Sequence, residues 1–289
     1  MILKLKTILF SVLGISLITG ATAFADGHGA GVSSSDPTAM SFWIISMGMV
    51  AATAFFFLER DTVPVKWKTS LTVAGLVTGV AAWHYFYMRG VWVATGESPT
   101  ELRYIDWLIT VPLQIVEFYL ILAAVTTVRS SLFWKLLIAS LVMLVFGYLG
   151  EIGAMNVMTA FVIGMAGWLY IVYEVFAGEA SQANAGSGNA AGQMAFKTLA
   201  LIVTVGWAIY PIGYAVSYLG GGADAATLNQ IYNFADFVNK IAFGMAIYVA
   251  ARSLSLIHIS EPTRRRGISY AVFCWKKKRG GGGGGGGGG

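Results

Sequence analysis

Cysteine is almost missing from this chain: the single one, Cys274, stands in an unusual C-terminal stretch. That scarcity excludes a disulfide framework, thiol catalysis and a cysteine-built zinc site, and no metal is expected. Charge is scarce too, at 11% of 289 residues, where soluble domains carry about 25%. The formal net charge of +5 is an effect of the two ends, because residues 254–289 hold seven of the 19 Lys and Arg and the first 25 residues hold two more. Residues 26–253 keep 10 basic and 13 acidic side chains, a balance of −3. Nucleic acid and anionic lipid are therefore not called for as partners. No internal repeat stands out either.

Apolar residues fill the space that charge leaves. They make up 56% of the chain and raise its mean hydropathy to +0.69, which indicates a membrane protein with the lipid bilayer as its first partner. Two segments are set aside from the functional reading. Residues 1–25 carry Lys4 and Lys6, an apolar run over 8–17 and Ala23-Phe24-Ala25, the pattern of a signal peptide cleaved after Ala25. Residues 254–289, beginning Leu254-Ser255-Leu256-Ile257-His258-Ile259 and ending in glycines, read as a translated sequencing adapter and not as native protein. The domain expected to function is thus 26–253.

Within it, apolar runs long enough to cross a bilayer cover about 38–58, 69–88, 102–128, 132–150, 152–173, 198–219 and 228–253. The Ala-, Ser-, Gly- and Asn-rich stretch 178–192 reads as a flexible connection. With the N-terminus exported, Arg60, Lys66, Lys68, Arg129 and Lys135 fall on cytoplasmic loops, whereas the exported loops offer Arg89. This asymmetry predicts an all-α membrane protein, a seven-transmembrane-helix bundle with its N-terminus outside and its C-terminus cytoplasmic. Trp67, Trp92 and Trp134 stand at run ends, where an aromatic belt is expected.

Lys240 lies in the middle of the last run. It starts roughly 17 Å along the axis from either end, and its stem, about 6 Å long, is too short to bring the ammonium to water. A residue of this kind costs roughly 2.5–3.5 kcal/mol to insert, so it calls for a partner or a function. Asp236, one helical turn earlier, shares its face. The pair could be a structural ion pair, but the depth favours a functional amine, and a lysine beside a carboxylate suits an aldehyde held as a protonated Schiff base.

The third run carries Arg103, Asp106, Thr110, Gln114 and Glu117 along one stripe, which is expected to face inward. Asp106 and Glu117 are three turns, about 16 Å, apart. Apolar neighbours such as Val116 and Phe118 suit Glu117 to rest protonated, as a donor; Arg103 and a nearby cation suit Asp106 to rest ionised, as an acceptor. His84 of the second run is either a modulator of Asp106 or an interhelical hydrogen bond.

Three stretches, Arg103 to Gln114, Trp207-Ala208-Ile209-Tyr210-Pro211 and Asp236 to Lys240, resemble the microbial (type 1) rhodopsins over residues 38–253, most closely the blue-absorbing proteorhodopsins. The resemblance implies all-trans retinal bound covalently to Lys240 as a Schiff base. It also implies Asp106 as primary counterion and proton acceptor, Asp236 as second counterion, Glu117 as cytoplasmic donor, His84 as partner of the acceptor and Arg103 as the arginine below the Schiff base. Trp107, Met143, Gly147, Trp168, Trp207, Tyr210 and Pro211 would line the retinal. Gln114 looks like the glutamine of blue-absorbing members. Tyr214 departs from relatives that carry tryptophan there. The implied function is outward, light-driven proton pumping in the bacterial cytoplasmic (inner) membrane, as a multi-pass protein forming pentamers or hexamers and not as an enzyme. A sensory rhodopsin signalling through a membrane partner is the alternative, and a retinal-free transporter or receptor a third; Glu117 speaks against the sensor.

Overall fold

In hydrocarbon a backbone has no water to bond to, so each long apolar run must close its own hydrogen bonds as helix. The computed structural model describes residues 32–279, with side chains to Ser253. Helix α1 (Pro37–Glu59) starts at Asp36, whose carboxylate accepts from the backbone N–H of Thr38 and Ala39. The indole of Trp92 also donates to it, at 2.9 Å, and that bond, with the two backbone donors, holds the Asp36 carboxyl below the usual carboxylate range. Two single-turn segments (Arg60–Thr62 and Val65–Trp67) lead to α2 (Lys68–Thr95), which stops at Gly96 in the left-handed region, φ 71°. Next come α3 (Thr100–Val125), α4 (Ser130–Glu151) and α5 (Val157–Phe176), the last capped by Asn156.

The stretch 178–192, expected as a flexible connection, contains a short helix. Glu174 accepts from the backbone N–H of Glu179 at 2.9 Å, which starts the eight-residue helix α6 (Glu179–Gly186). Lys135 and Arg129 then tie Glu179 to the chain around α4, at 3.2 and 3.9 Å. The sixth span begins earlier than expected, as α7 (Ala190–Leu201), passes through a π-helical turn (Ile202–Gly206), and resumes as α8 (Ile209–Tyr214) before a second π turn (Ala215–Leu219). The first π turn leaves the Gly206 carbonyl to accept from Asn239 at 3.0 Å. The final helix, α9 (Ala225–Arg279), runs past the expected end at 253. The expected signal peptide, 1–25, lies outside the described residues.

Seven helical spans result among the described residues. Six of them are apolar and long enough to cross a membrane on their own. The second span, α2, has the length, 28 residues, but threonines, glycines and His84 dilute its hydropathy. It packs between α1 and α3. It also ends seven residues later than expected, because Arg89 is drawn over the ring of Trp43 and donates to the Ser34 carbonyl. Trp67 and Trp92 turn inward and are buried, which leaves Trp134 as the exposed member of the expected belt. The main core gathers Trp107, Ile115, Phe118, Phe196, Trp207 and Phe243 around the bundle axis. The polar groups described next stand within that core.

Candidate functional site

Lys240 is 3% exposed. Its Nζ donates to Asp106 Oδ2 of α3 at 2.5 Å and to Asp236 Oδ2 of its own helix at 3.0 Å. The one-turn spacing in α9 supplies the second contact, and the inward stripe of α3 supplies the first. Arg103, Asp106, Thr110, Gln114 and Glu117 are all at most 2% exposed, as that stripe requires. Thr110 donates its hydroxyl to the Asp106 backbone carbonyl at 2.9 Å, which keeps its side chain at the same level of the helix.

The two carboxylates differ in how firmly they are held. Asp236 accepts from Tyr85 at 2.8 Å, from Tyr210 at 2.5 Å and from the Trp107 indole at 3.2 Å, besides Lys240. Asp106 has Lys240 as its donor on Oδ2, while its Oδ1 lacks a hydrogen-bond partner among the described residues. His84 Nδ1 stands 3.9 Å from that Oδ1, beyond direct hydrogen-bond reach, and 3.0 Å from the Val80 carbonyl. Asp236 is thus held by four donors. Asp106 retains acceptor capacity.

Arg103 does not sit against Asp106. Its guanidinium donates to Asn229 at 2.6 Å, Asn233 at 3.0 Å and Tyr85 at 3.3 Å, turned away from Asp106 although the two residues are one turn apart. Tyr85, Asn229 and Asn233 were not singled out from sequence, where a lone tyrosine or asparagine in an apolar run carries no periodic signal. Glu117 is fully buried on the same stripe. Ser70 of α2 faces it, but neither carboxyl oxygen closes a hydrogen bond among the described residues.

Beside Lys240 opens a cavity of about 810 Å³, open mouth included. Every residue assigned to it from the resemblance lines it: Trp107, Gln114, Met143, Gly147, Trp168, Trp207, Tyr210, Pro211 and Lys240. Sequence reading missed other parts of the wall, among them Tyr104, Glu151, Phe161, Gly164 and Asn239. The lining fits an elongated apolar aldehyde. Indole and phenol rings form the walls, Gly147 and Gly164 add no side chain to them, and an amine stands at the wall. The buried amide nitrogen of Gln114 has no partner among the described residues, so the wall offers one unsatisfied dipole.

Residues 36–254 match the family of bacteriorhodopsin-like proteins. A green-light absorbing proteorhodopsin of Gamma-proteobacterium EBAC31A08 is 56% identical over 86% of this chain and 97% of its own length. A blue-light absorbing proteorhodopsin of Gamma-proteobacterium Hot 75m4 is also 56% identical, over 84% and 96%. Among solved structures, blue light-absorbing proteorhodopsin from Med12 is 59% identical and superposes with a TM-score of 0.67, over 75% of this chain and 99% of that one. Identity alone does not separate the two colours.

Proposed function

Because the chain belongs to the bacteriorhodopsin-like family, we propose that it is a light-driven outward proton pump, with all-trans retinal carried on Lys240 and absorption in the blue. The observation that carries this reading is the bridging of Lys240 Nζ between Asp106 and Asp236 at the wall of an apolar cavity, with Glu117 buried on the same helical stripe. Bound as a protonated Schiff base, the retinal would supply light absorption and the isomerisation that drives the proton off Nζ.

The chain's own groups do the rest. Asp106 Oδ2, 2.5 Å from Nζ, takes that proton, because its other oxygen has no competing donor. Asp236, held by two phenols and an indole, stays in place as the anion that keeps the site near neutral when the proton has moved. Glu117, about 16 Å inward along α3, holds a proton in an apolar setting and returns one to Nζ from the cytoplasmic side. His84 adjusts Asp106 through space. Direction follows from the order of these groups along α3 and from the N-terminus-out orientation, which the loop charges support. Relatives in bacteria support residence in the cytoplasmic membrane, the N-terminal pattern supports removal of residues 1–25 and the adapter-like sequence a native domain ending near 253, and the resemblance supports a pentamer or hexamer.

A buried carboxylic donor favours the pump over a sensor, since a sensor has no need of rapid reprotonation. Cells expressing the chain with all-trans retinal, illuminated under a pH electrode, test the reading. Acidification of the medium, lost in Asp106→Asn and accompanied by a visible band lost in Lys240→Ala, is the expected result. A visible band without acidification would turn the assignment to the sensor. No band at all would defeat both.

A further inference from the structure

Arg103 is 2% exposed and, among the described residues, has no carboxylate within ion-pair distance. A buried guanidinium without an anion needs its donors filled by other oxygens. Two asparagines on α9, one turn apart, fill them. Asn229 and Asn233 are both fully buried, and the orientation of each amide is fixed by its other end. Asn229 Nδ2 faces the Ala225 carbonyl at 2.7 Å, which can only accept. Asn233 Nδ2 faces Ser41 Oγ at 2.9 Å, and that hydroxyl already spends its proton on the Thr38 carbonyl at 2.7 Å. Both amide oxygens therefore face Arg103, that of Asn229 also lying 3.4 Å from the Ser98 hydroxyl. Four rings, of Phe42, Tyr85, Trp107 and Tyr232, surround the guanidinium at 5.5–6.0 Å.

We propose that Asn229 and Asn233 form a clamp that holds Arg103 on the outward side, one hydroxyl removed from the carboxylates at Lys240. They are positioning residues, acting through Arg103. The separation is visible as a chain: Arg103 donates to Tyr85, and Tyr85 donates to Asp236. Two cations, Arg103 and Lys240, and two anions, Asp106 and Asp236, make the group neutral overall, but the clamp keeps the negative charge concentrated on Lys240 Nζ. Released, the guanidinium would move to the nearest anions and offset them there. The colour consequence rests on the proposed function: less negative charge at the nitrogen stabilises the ground state less, so absorption moves to longer wavelength.

The test compares Asn229→Leu, Asn233→Leu and Asn229→Asp with the unsubstituted protein, all with all-trans retinal at one alkaline pH. Both leucine variants are expected to shift the maximum to longer wavelength, while Asn229→Asp, whose carboxylate holds the guanidinium by charge-assisted bonds, shows no shift to longer wavelength. The nitrogen resonance of the Arg103 guanidinium, assigned with Arg103→Lys and followed in retinal-free protein, is expected to move in both leucine variants. Unchanged maxima, or a shift to shorter wavelength, together with an unmoved resonance would overturn the clamp. If the unsubstituted protein forms no visible band, the proposed function fails, and the resonance alone decides the clamp.

Discussion

Gln114 is 2% exposed on the cavity wall with its amide nitrogen unpartnered, one turn inward from Thr110. Excitation of a polyene cation moves positive charge away from the nitrogen. A fixed amide dipole beside the chain can favour the ground-state charge distribution, which an apolar side chain cannot. Gln114→Leu is therefore expected to absorb at longer wavelength and still pump; spectra taken with Asp106 ionised check it, and no shift would remove Gln114 from the wall's electrostatics. Glu117→Gln should barely change colour, yet slow return of the proton to Nζ, with added azide restoring part of the rate. Flash photolysis measures this, and an unaltered recovery would mean another donor. Lys240, Asp236 and the α3 stripe were legible in sequence because charge in an apolar run is expensive and helical spacing fixes its face. Tyr85, Asn229, Asn233 and Asn239 were not, since neutral polar residues in such runs are common and only the fold reveals which donor meets which acceptor.

Close helix approach depends on glycine where backbones nearly touch. A Cβ on Gly167 of α5 would stand 2.7 Å from the Ala139 carbonyl and 3.0 Å from the Met143 amide of α4. Both are backbone atoms in a helix and cannot step aside. Gly167→Ala should push α5 off α4 at a cost of about 1–3 kcal/mol and disturb Met143 on the cavity wall. Thermal bleaching of the visible band should occur at lower temperature; an unchanged bleaching temperature would show that the two helices yield freely. Span number was readable from apolar run length, whereas the run ends were not. Asn156 and Asn189 cap helices by bonding to Thr159 and Gly192, and Glu174 organises α6 through a single backbone contact. Such choices are local competitions that composition does not record. The π turns of the sixth span belong to the same class, because a carbonyl freed at Gly206 is stable only once Asn239 of another helix answers it.

Across the whole chain, the family match ends at 254, while the backbone of α9 continues as helix to Arg279. A chain cut after Ser253 is expected to form the same visible band and acidify the medium to the same extent as the full chain. Loss of colour on truncation, read from spectra of equal amounts of the two proteins, would make residues 254–289 part of the working molecule. The second span has a different dependence. With threonines and His84 along it, α2 falls below the apolarity at which its six companions qualify on their own, yet it packs extensively against α1 and is joined to it through the short segment Arg60–Trp67. During synthesis α2 is thus a poor solo candidate for the insertion machinery. It is best threaded into lipid as one half of a hairpin with α1, so the outer strut of the pump is a requirement of biogenesis before it is one of transport.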